Sequence, residues 1–386
     1  MTLEDFSRQW FNQLDAPTAR TLERALEGHD ITTAEAEALL TVRGRELLAL
    51  LLVADELRRR TVGEVVTYVV VQNINFTNIC TMRCRFCAFS RLPSDPQGYC
   101  MTPSEVAECA AGAAQAGASE ICLQGGIHPK LYLYDYCALL RAIKQRAPQL
   151  HLHAFSPFEV WQAARHSGRS VEDTLKALRD AGLDSMPGTA AEILDDEVRP
   201  RLAPNKLSAS QWVEVITAAH RLGIPTTATI LYGHIETPRH QAAHLALLRQ
   251  IQQQTGGFTE FIPLSFVHQN TPLYRGGEAR PGATGLEDAR IYAVARLMFQ
   301  HVIPNIQVSW VKLGAKFAQF CLNAGANDFG GTLFSESISR SAGAVHGEYM
   351  PEQEFHRLIR DLGRIPARRS TTYDLLEVFD GVSAGV

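Results

Sequence analysis

Three cysteines within eight residues, Cys80, Cys84 and Cys87, carry the clearest chemical signal in this chain. They are spaced C-x3-C-x2-C on the run Asn75-Phe76-Thr77-Asn78-Ile79-Cys80-Thr81-Met82-Arg83-Cys84-Arg85-Phe86-Cys87-Ala88-Phe89. A loop this short can wrap three thiolates around three irons of a cubic [4Fe–4S] cluster. Metal binding deprotonates the thiols, and Arg83 and Arg85 are expected to favour the anions. Structural clusters generally take four cysteines. Three leave one iron open, as in metal centres that do chemistry. Zinc would want a fourth ligand, and Cys100, Cys109 and His128 have no close ligand spacing to the triplet. Disulfides suit a reducing compartment poorly. Cys100, Cys109, Cys122, Cys137 and Cys321 are scattered and read as buried small hydrophobes.

The frame that must position this loop is legible as alternation. Residues 68–76, 120–125, 150–155, 183–187, 226–232, 260–266, 306–311 and 326–329 are short β-rich runs separated by helical stretches. Eight strands alternating with helices close an α/β fold of the TIM-like (β/α)8 type, with parallel, buried strands. Thr102-Pro103-Ser104-Glu105, Ser208-Ala209-Ser210-Gln211 and Thr284-Gly285-Leu286-Glu287 are capping boxes, and Thr237-Pro238 opens another helix. Gly182 and Gly223 stand where helices hand over to strands. Before the barrel, apolar positions at helical spacing (Trp10, Leu14, Leu22, Ala25, Leu26) predict an N-terminal helical cap. The expected division is 1–67 cap, 68–350 barrel and 351–386 C-terminal extension, a helix with a short extended piece that covers one end of the barrel.

Charge and hydropathy narrow the function. The net charge of −4 argues against nucleic acid and for a small-molecule substrate. Met1–Phe6 lacks a basic region followed by an apolar run, and Leu47–Ala54 is too short to span a bilayer. A cytoplasmic protein with no membrane association is expected.

The triplet, with aromatic Phe86 before its last cysteine, resembles the signature of the radical S-adenosylmethionine (SAM) superfamily. That resemblance implies a [4Fe–4S] cluster whose open iron chelates SAM. One electron then cleaves SAM, and a 5′-deoxyadenosyl radical abstracts a substrate hydrogen. It also implies that Gln124-Gly125-Gly126 contacts SAM's amino group, although a Gly pair after a strand is commonly only a turn. In Ser185-Met186-Pro187-Gly188-Thr189-Ala190-Ala191-Glu192, Ser185 and Glu192 are cofactor candidates; Glu192 could equally favour a helix N-terminus. Tyr232, His234 and Glu236 are expected at the C-terminal mouth of the barrel, where such enzymes place chemistry. His234 is a candidate for proton transfer, or else a hydrogen-bonding histidine. Strand alternation over 307–312 would send Ser309 and Val311 one way and Trp310 and Lys312 the other. Ser309, Trp310, Lys312, Asn327 and Asp328 are the substrate-binding candidates. The polar blocks 327–332 and 336–340 could hold a polyhydroxyl group or form a closing turn.

Several segments together resemble one subfamily, the tyrosine-using subunit of FO synthase, which serves the deazaflavin chromophore of coenzyme F420. They are QGGIHP at 124–129, HLHAFSP at 151–157, SMPGTAAE at 185–192, TTATILYGHIET at 226–237, GFTEFIP at 257–263, QVSWVKLG at 307–314 and GANDFGGTLFSESISRSAGA at 325–344. The resemblance implies L-tyrosine and 5-amino-6-(D-ribitylamino)uracil as substrates. Tyrosine loses a hydrogen from its amino group, its side chain leaves as a 4-hydroxybenzyl radical, and this adds to C5 of the uracil. The other FO synthase subunit then closes the ring, and an electron donor for the cluster is implied. The nearest alternatives are dehypoxanthine futalosine cyclase and aminofutalosine synthase of menaquinone biosynthesis, which tend to carry an aromatic residue where this chain has Ser90. A non-catalytic iron–sulfur electron carrier is the alternative of another class; it predicts four protein ligands and no SAM cleavage.

Overall fold

The β-rich runs form the staves of a closed ring. In the computed structural model, which describes residues 10–332 and 336–380, neighbouring staves are parallel throughout. Val71–Asn75 pairs with Glu120–Gln124, which pairs with His151–Ala154. Single bridges, His153 to Ser185 and Met186 to Thr226, carry the ring to Thr226–Tyr232 and then to Phe258–Ser265. Bridges from Phe261 to Ile306 and from Gln307 to Asp328 lead to Asp328–Gly331. That strand pairs with Val65–Val69, which runs through Val70 into Val71–Asn75 and closes the circle. The eight expected strands are therefore present in order. Two of them, at 185–186 and 306–307, are reduced to bridges.

One expectation fails locally. The strand expected over 306–311 ends at Gln307, and Trp310–Leu313 is a helical turn closed by Gly314 N–H on the Trp310 carbonyl at 2.7 Å. The β-rich composition suited a pleated surface, but tertiary contacts decided the conformation. The Trp310 indole donates to the Gly331 carbonyl at 2.9 Å, which fixes the turn against the neighbouring strand. Side-chain alternation over 307–312 therefore does not apply.

The helix start signals work as read. Thr102, Ser208 and Thr284 accept from the backbone N–H three residues on, and Pro238 follows the N-cap Thr237. Gly182 and Gly223 lie in left-handed backbone at φ 113° and 72°, where a Cβ would be strained. Helix Gly285–Phe299 is exposed at its first turn and buried from Ile291 to Phe299. It is covered by the N-terminal helix Gly44–Val62, which follows Ala16–Leu26 and Thr33–Leu39. Among the described residues, no helix is long and apolar enough to cross a membrane. Met1–Phe6, read for a signal, and Leu333–Ser335, within the 325–344 segment, lie outside the described residues.

The N-terminal end of the ring has a floor. Helix Glu352–Asp361 leads into Ile365–Arg369, which pairs in parallel with Val65–Val69, and then into the antiparallel Leu375–Val378. The turn between these strands runs beneath the ring. Arg369 binds Asp328 and lies 3.4 Å from Glu260, Thr371 donates to Glu120 at 2.6 Å, and Tyr373 donates to Glu260 at 2.5 Å. With its lower end occupied, the ring is left open toward the cysteine loop.

Candidate active site

Strand Val71–Asn75 ends at the upper mouth, and the cysteine loop that follows is tied down on several sides. Asn78 donates to the Gln97 carbonyl at 2.9 Å and accepts from Tyr99 N–H at 2.8 Å. Cys80 N–H binds the Arg91 carbonyl at 2.9 Å, and the Arg91 guanidinium donates to the carbonyls of Ala88, Phe89 and Ser90. Arg85 N–H binds Leu202 and its carbonyl accepts from Leu273, at 2.8 and 2.7 Å. Cys80, Cys84 and Cys87 carry free thiols and line one cavity. Its non-atom space is about 1270 Å³, part of it open to solvent.

Gln124-Gly125-Gly126 forms the adjoining wall. Neither glycine has a positive φ; each is required for space. A Cβ on Gly126 would lie 2.4 Å from the Ile79 carbonyl oxygen and 2.9 Å from Cys80 Cβ, and one on Gly125 would lie 2.6 Å from the Phe76 ring. The loop therefore touches the cysteine loop directly, and Gly126 N–H binds the Thr77 carbonyl at 2.8 Å.

Gly125 N–H is held at 3.0 Å by Glu159, a cavity residue that also accepts from Ser156 at the N-cap of Pro157–His166. Burial pushes the Glu159 carboxyl up to about 7, against the pull of its hydrogen bonds and of Lys206. It is thus neutral below that pH and anionic above it. A cationic ligand beside Gly125 should bind more tightly as pH rises through about 7. Isothermal titration with SAM should show this step. Glu159→Gln should flatten it and weaken binding above the step by about 3- to 30-fold. An unchanged profile in the variant would assign the step to another group.

The opposite wall carries a buried charge cluster. Glu192 pairs with Lys206 at 2.8 Å and Arg199 at 3.8 Å, while Lys206 Nζ stands over the Phe86 and Phe158 rings at 5.1 and 5.9 Å. Ala190 and Glu192 adopt φ 71° and 42°, a costly backbone for residues with a Cβ. Arg199 holds it there through the carbonyls of Ala190, Ala191 and Ile193. Lys206 also corrects the expected role of the loop arginines. Arg85 pairs with Glu278 and Arg83 is exposed. Burial pushes the Cys84 thiol up to about 12, and the cation opposing this is Lys206. Cys80 is raised in the same way. Protonated, part-buried thiols on one loop fit a soft metal that displaces their protons on binding. The residues present therefore fit an iron–sulfur cluster.

Glu192 and Lys312 also line the cavity, as do Thr229, Leu231, Leu264, Phe266 and Ile338. The remaining candidates lie elsewhere. The Tyr232 hydroxyl turns away to Asp288 on helix Gly285–Phe299 at 2.6 Å. His234 is buried against the Leu231 carbonyl and Glu236, and Glu236 is held ionised by His234, Gly233 N–H and Arg280. These two brace the 233–236 turn. Ser185 bonds to His151 and His153, both at 2.7 Å. Ser309 N–H binds the Tyr292 hydroxyl, and Trp310 is spent on Gly331. Asn327 ties Ile306 N–H to Arg296, and Asp328 belongs to the floor. Glu159 and Lys206 were missed from sequence. Glu159 had a signal, since Ser156-Pro157-Phe158-Glu159 is itself a capping box after a strand.

A family model described as the Radical SAM superfamily matches residues 74–248, and one described as the CofH/MqnC C-terminal region matches 255–382. The chain is 53% identical over 360 residues (93% of this chain, 98% of the relative) to the 5-amino-6-(D-ribitylamino)uracil–L-tyrosine 4-hydroxyphenyl transferase of Methanothermobacter thermautotrophicus. It is 56% identical over 84% of its length to the protein so named from Methanopyrus kandleri, covering 88% of it. It is 50% identical over 92% of its length to FO synthase of Mycobacterium tuberculosis, of which it spans 42%. Among solved structures, methylornithine synthase (PylB) superposes with a TM-score of 0.70 at 20% identity, covering 90% of this chain and 97% of that one. The [FeFe]-hydrogenase maturase HydG gives 0.72 at 14% identity over 95% and 80%. These two establish likeness of fold.

Proposed function

Because the chain belongs to the 5-amino-6-(D-ribitylamino)uracil–L-tyrosine 4-hydroxyphenyl transferases of the radical SAM superfamily, we propose that it cleaves L-tyrosine and transfers the 4-hydroxybenzyl group to that uracil. The observation that carries this reading is the single cavity shared by the three cysteines, the Gln124–Gly126 wall and a largely apolar chamber.

Cys80, Cys84 and Cys87 would hold the [4Fe–4S] cluster, with Gln124, Gly125, Gly126 and Glu192 around SAM. When bound, cluster and SAM supply the 5′-deoxyadenosyl radical. The chain's own residues do the rest by placement. Phe86, Phe158, Leu231, Leu264 and Phe266 line the cavity with the cysteine loop, excluding water from reactive species. Glu192 partly offsets the charges of Lys206 and Arg199 at this wall. His234 and Glu236 position the turn after Thr226–Tyr232. Among the described residues, helices Ala16–Leu26, Thr33–Leu39 and Gly44–Val62 then act as a cap, the ring that begins at Val65 as the barrel, and the elements from Glu352 to Val378 as the extension packed on it. The product passes to the other FO synthase subunit, a separate electron donor feeds the cluster, and the reaction runs in the cytoplasm.

The test is an oxygen-free assay of the reconstituted enzyme with both substrates, SAM and dithionite. A coupled adduct should form together with 5′-deoxyadenosine and methionine. No adduct from that pair, with turnover of dehypoxanthine futalosine instead, would overturn the reading.

A further inference from the structure

Two lysines line the cavity, and they differ in their partners. Lys206 is paired with Glu192. Lys312 has no carboxylate within 4.0 Å among the described residues. Its Nζ donates to the Ser339 hydroxyl at 3.0 Å, and an ammonium has three donors. The nearest acid is already committed: Glu336 caps helix Ser337–Ala342 through Ser339 N–H at 2.7 Å and accepts from Asn73 at 2.8 Å.

The lysine is also held firmly. It sits in the turn Trp310–Leu313, fixed by the Trp310 indole on one side and by Gly314 on the other. Phe266, Val267 and Ile338 line the same cavity, and burial lowers the Lys312 pKa against the opposing charge of Glu336. A part-buried cation whose neighbouring acid, Glu336, lies beyond ion-pairing distance is incompletely compensated, and an incoming anion relieves that cost. A second, more open space of about 780 Å³ shares Phe266, Val267 and Lys312 with the first and lies toward His268 and His346. Lys312 thus stands where a substrate coming from that side would meet the reaction chamber.

We propose that Lys312 binds the α-carboxylate of the amino-acid substrate, L-tyrosine. This rests on the reading of tyrosine as substrate given above. Of the two substrates, only tyrosine carries a carboxylate, so a lone ammonium selects it. Holding that carboxylate at Lys312 leaves the amino group and side chain in the chamber, with orientation set by a charge-assisted hydrogen bond. Ser339 is the positioning residue that aims the ammonium.

The test uses the reconstituted holoenzyme with dithionite. Lys312→Met should raise KM for tyrosine by about 10- to 150-fold, the range for a hydrogen bond to a charged group, with kcat less affected. KM for SAM and for the uracil should stay at wild-type values. Tyramine, which is tyrosine without the carboxylate, should be a poor substrate for the wild type, and Lys312→Met should lose that discrimination. Lys312→Arg should keep much of it. Lys312→Gln, which retains a donor for Ser339, should match the methionine variant if the missing charge is the cause. A wild-type tyrosine KM in both neutral variants, or a rise confined to SAM or the uracil, would overturn the assignment. Failure of the wild type to consume tyrosine at all would instead remove the underlying reading, and the anchor with it.

Discussion

Cys84→Ala should leave a folded protein that makes no 5′-deoxyadenosine. Cys84 is 8% exposed and packs at the centre of the loop, yet its side chain is small. Replacing the thiol by hydrogen costs roughly 1 kcal/mol of packing, against about 5–15 kcal/mol for a whole domain. The loop's backbone ties run through Cys80, Arg85, Cys87 and Arg91, none of which the substitution touches. The melting temperature should therefore fall by only about 2–4 °C. Iron binding loses one of three ligands. Even outer partners of metal ligands cost about 10- to 100-fold, so the loss of a ligand should exceed that range. Iron content after anaerobic reconstitution, SAM cleavage and far-UV circular dichroism would check the three parts. Wild-type cleavage in the variant would remove the cysteine loop from the reaction.

Gly126→Ala should be nearly as damaging, although it adds only one methyl group. That methyl must occupy a point 2.4 Å from a backbone oxygen and 2.9 Å from Cys80 Cβ, and a backbone oxygen cannot swing aside as a side-chain tip can. Either the 124–127 segment or the cysteine loop has to move. A shift of about 1 Å at a reacting site costs on the order of a hundredfold. The expected result is iron content reduced relative to wild type and turnover down by about that factor. Gly223→Ala serves as the contrast: it is strained by its φ of 72°, but nothing lies within 4 Å of its Cβ, so it should lower stability and spare turnover. Equal turnover losses in the two variants would show that the contact with the cysteine loop has no special role.

The barrel was legible because its signals are local. Capping boxes at Thr102, Ser208 and Thr284, glycines after helices and short β-rich runs each follow from one stretch of chain. The cysteine triplet was legible for the same reason. What failed was facing. In strand Thr226–Tyr232, Thr229 and Leu231 look into the cavity while Tyr232 looks out to Asp288. Both faces of a barrel strand are buried, so its residues show no apolar–polar alternation from which to read direction. Tyr232 has the chemistry of a site residue but the opposite parity to Thr229 and Leu231. Asp328 and Asn327 were chosen as polar residues in an apolar setting. They are that, but their partners, Arg369 and Arg296, come from distant segments that sequence spacing cannot place. Lys206 was missed because its meaning depends on Glu192 and Cys84, again across the fold.

The floor of the ring bears on how the molecule is made. Val65–Val69 lies between Asp328–Gly331 and Ile365–Arg369, so both of its neighbours are synthesised long after it. During translation that strand waits with both hydrogen-bonding edges unpaired, a state that invites association with other chains. Asp328 and Glu260 likewise lack their arginine until Arg369 emerges. Closure is thus a late event of high contact order, and a nascent chain stalled before Arg369 would have its cysteine loop but no completed vessel beneath it.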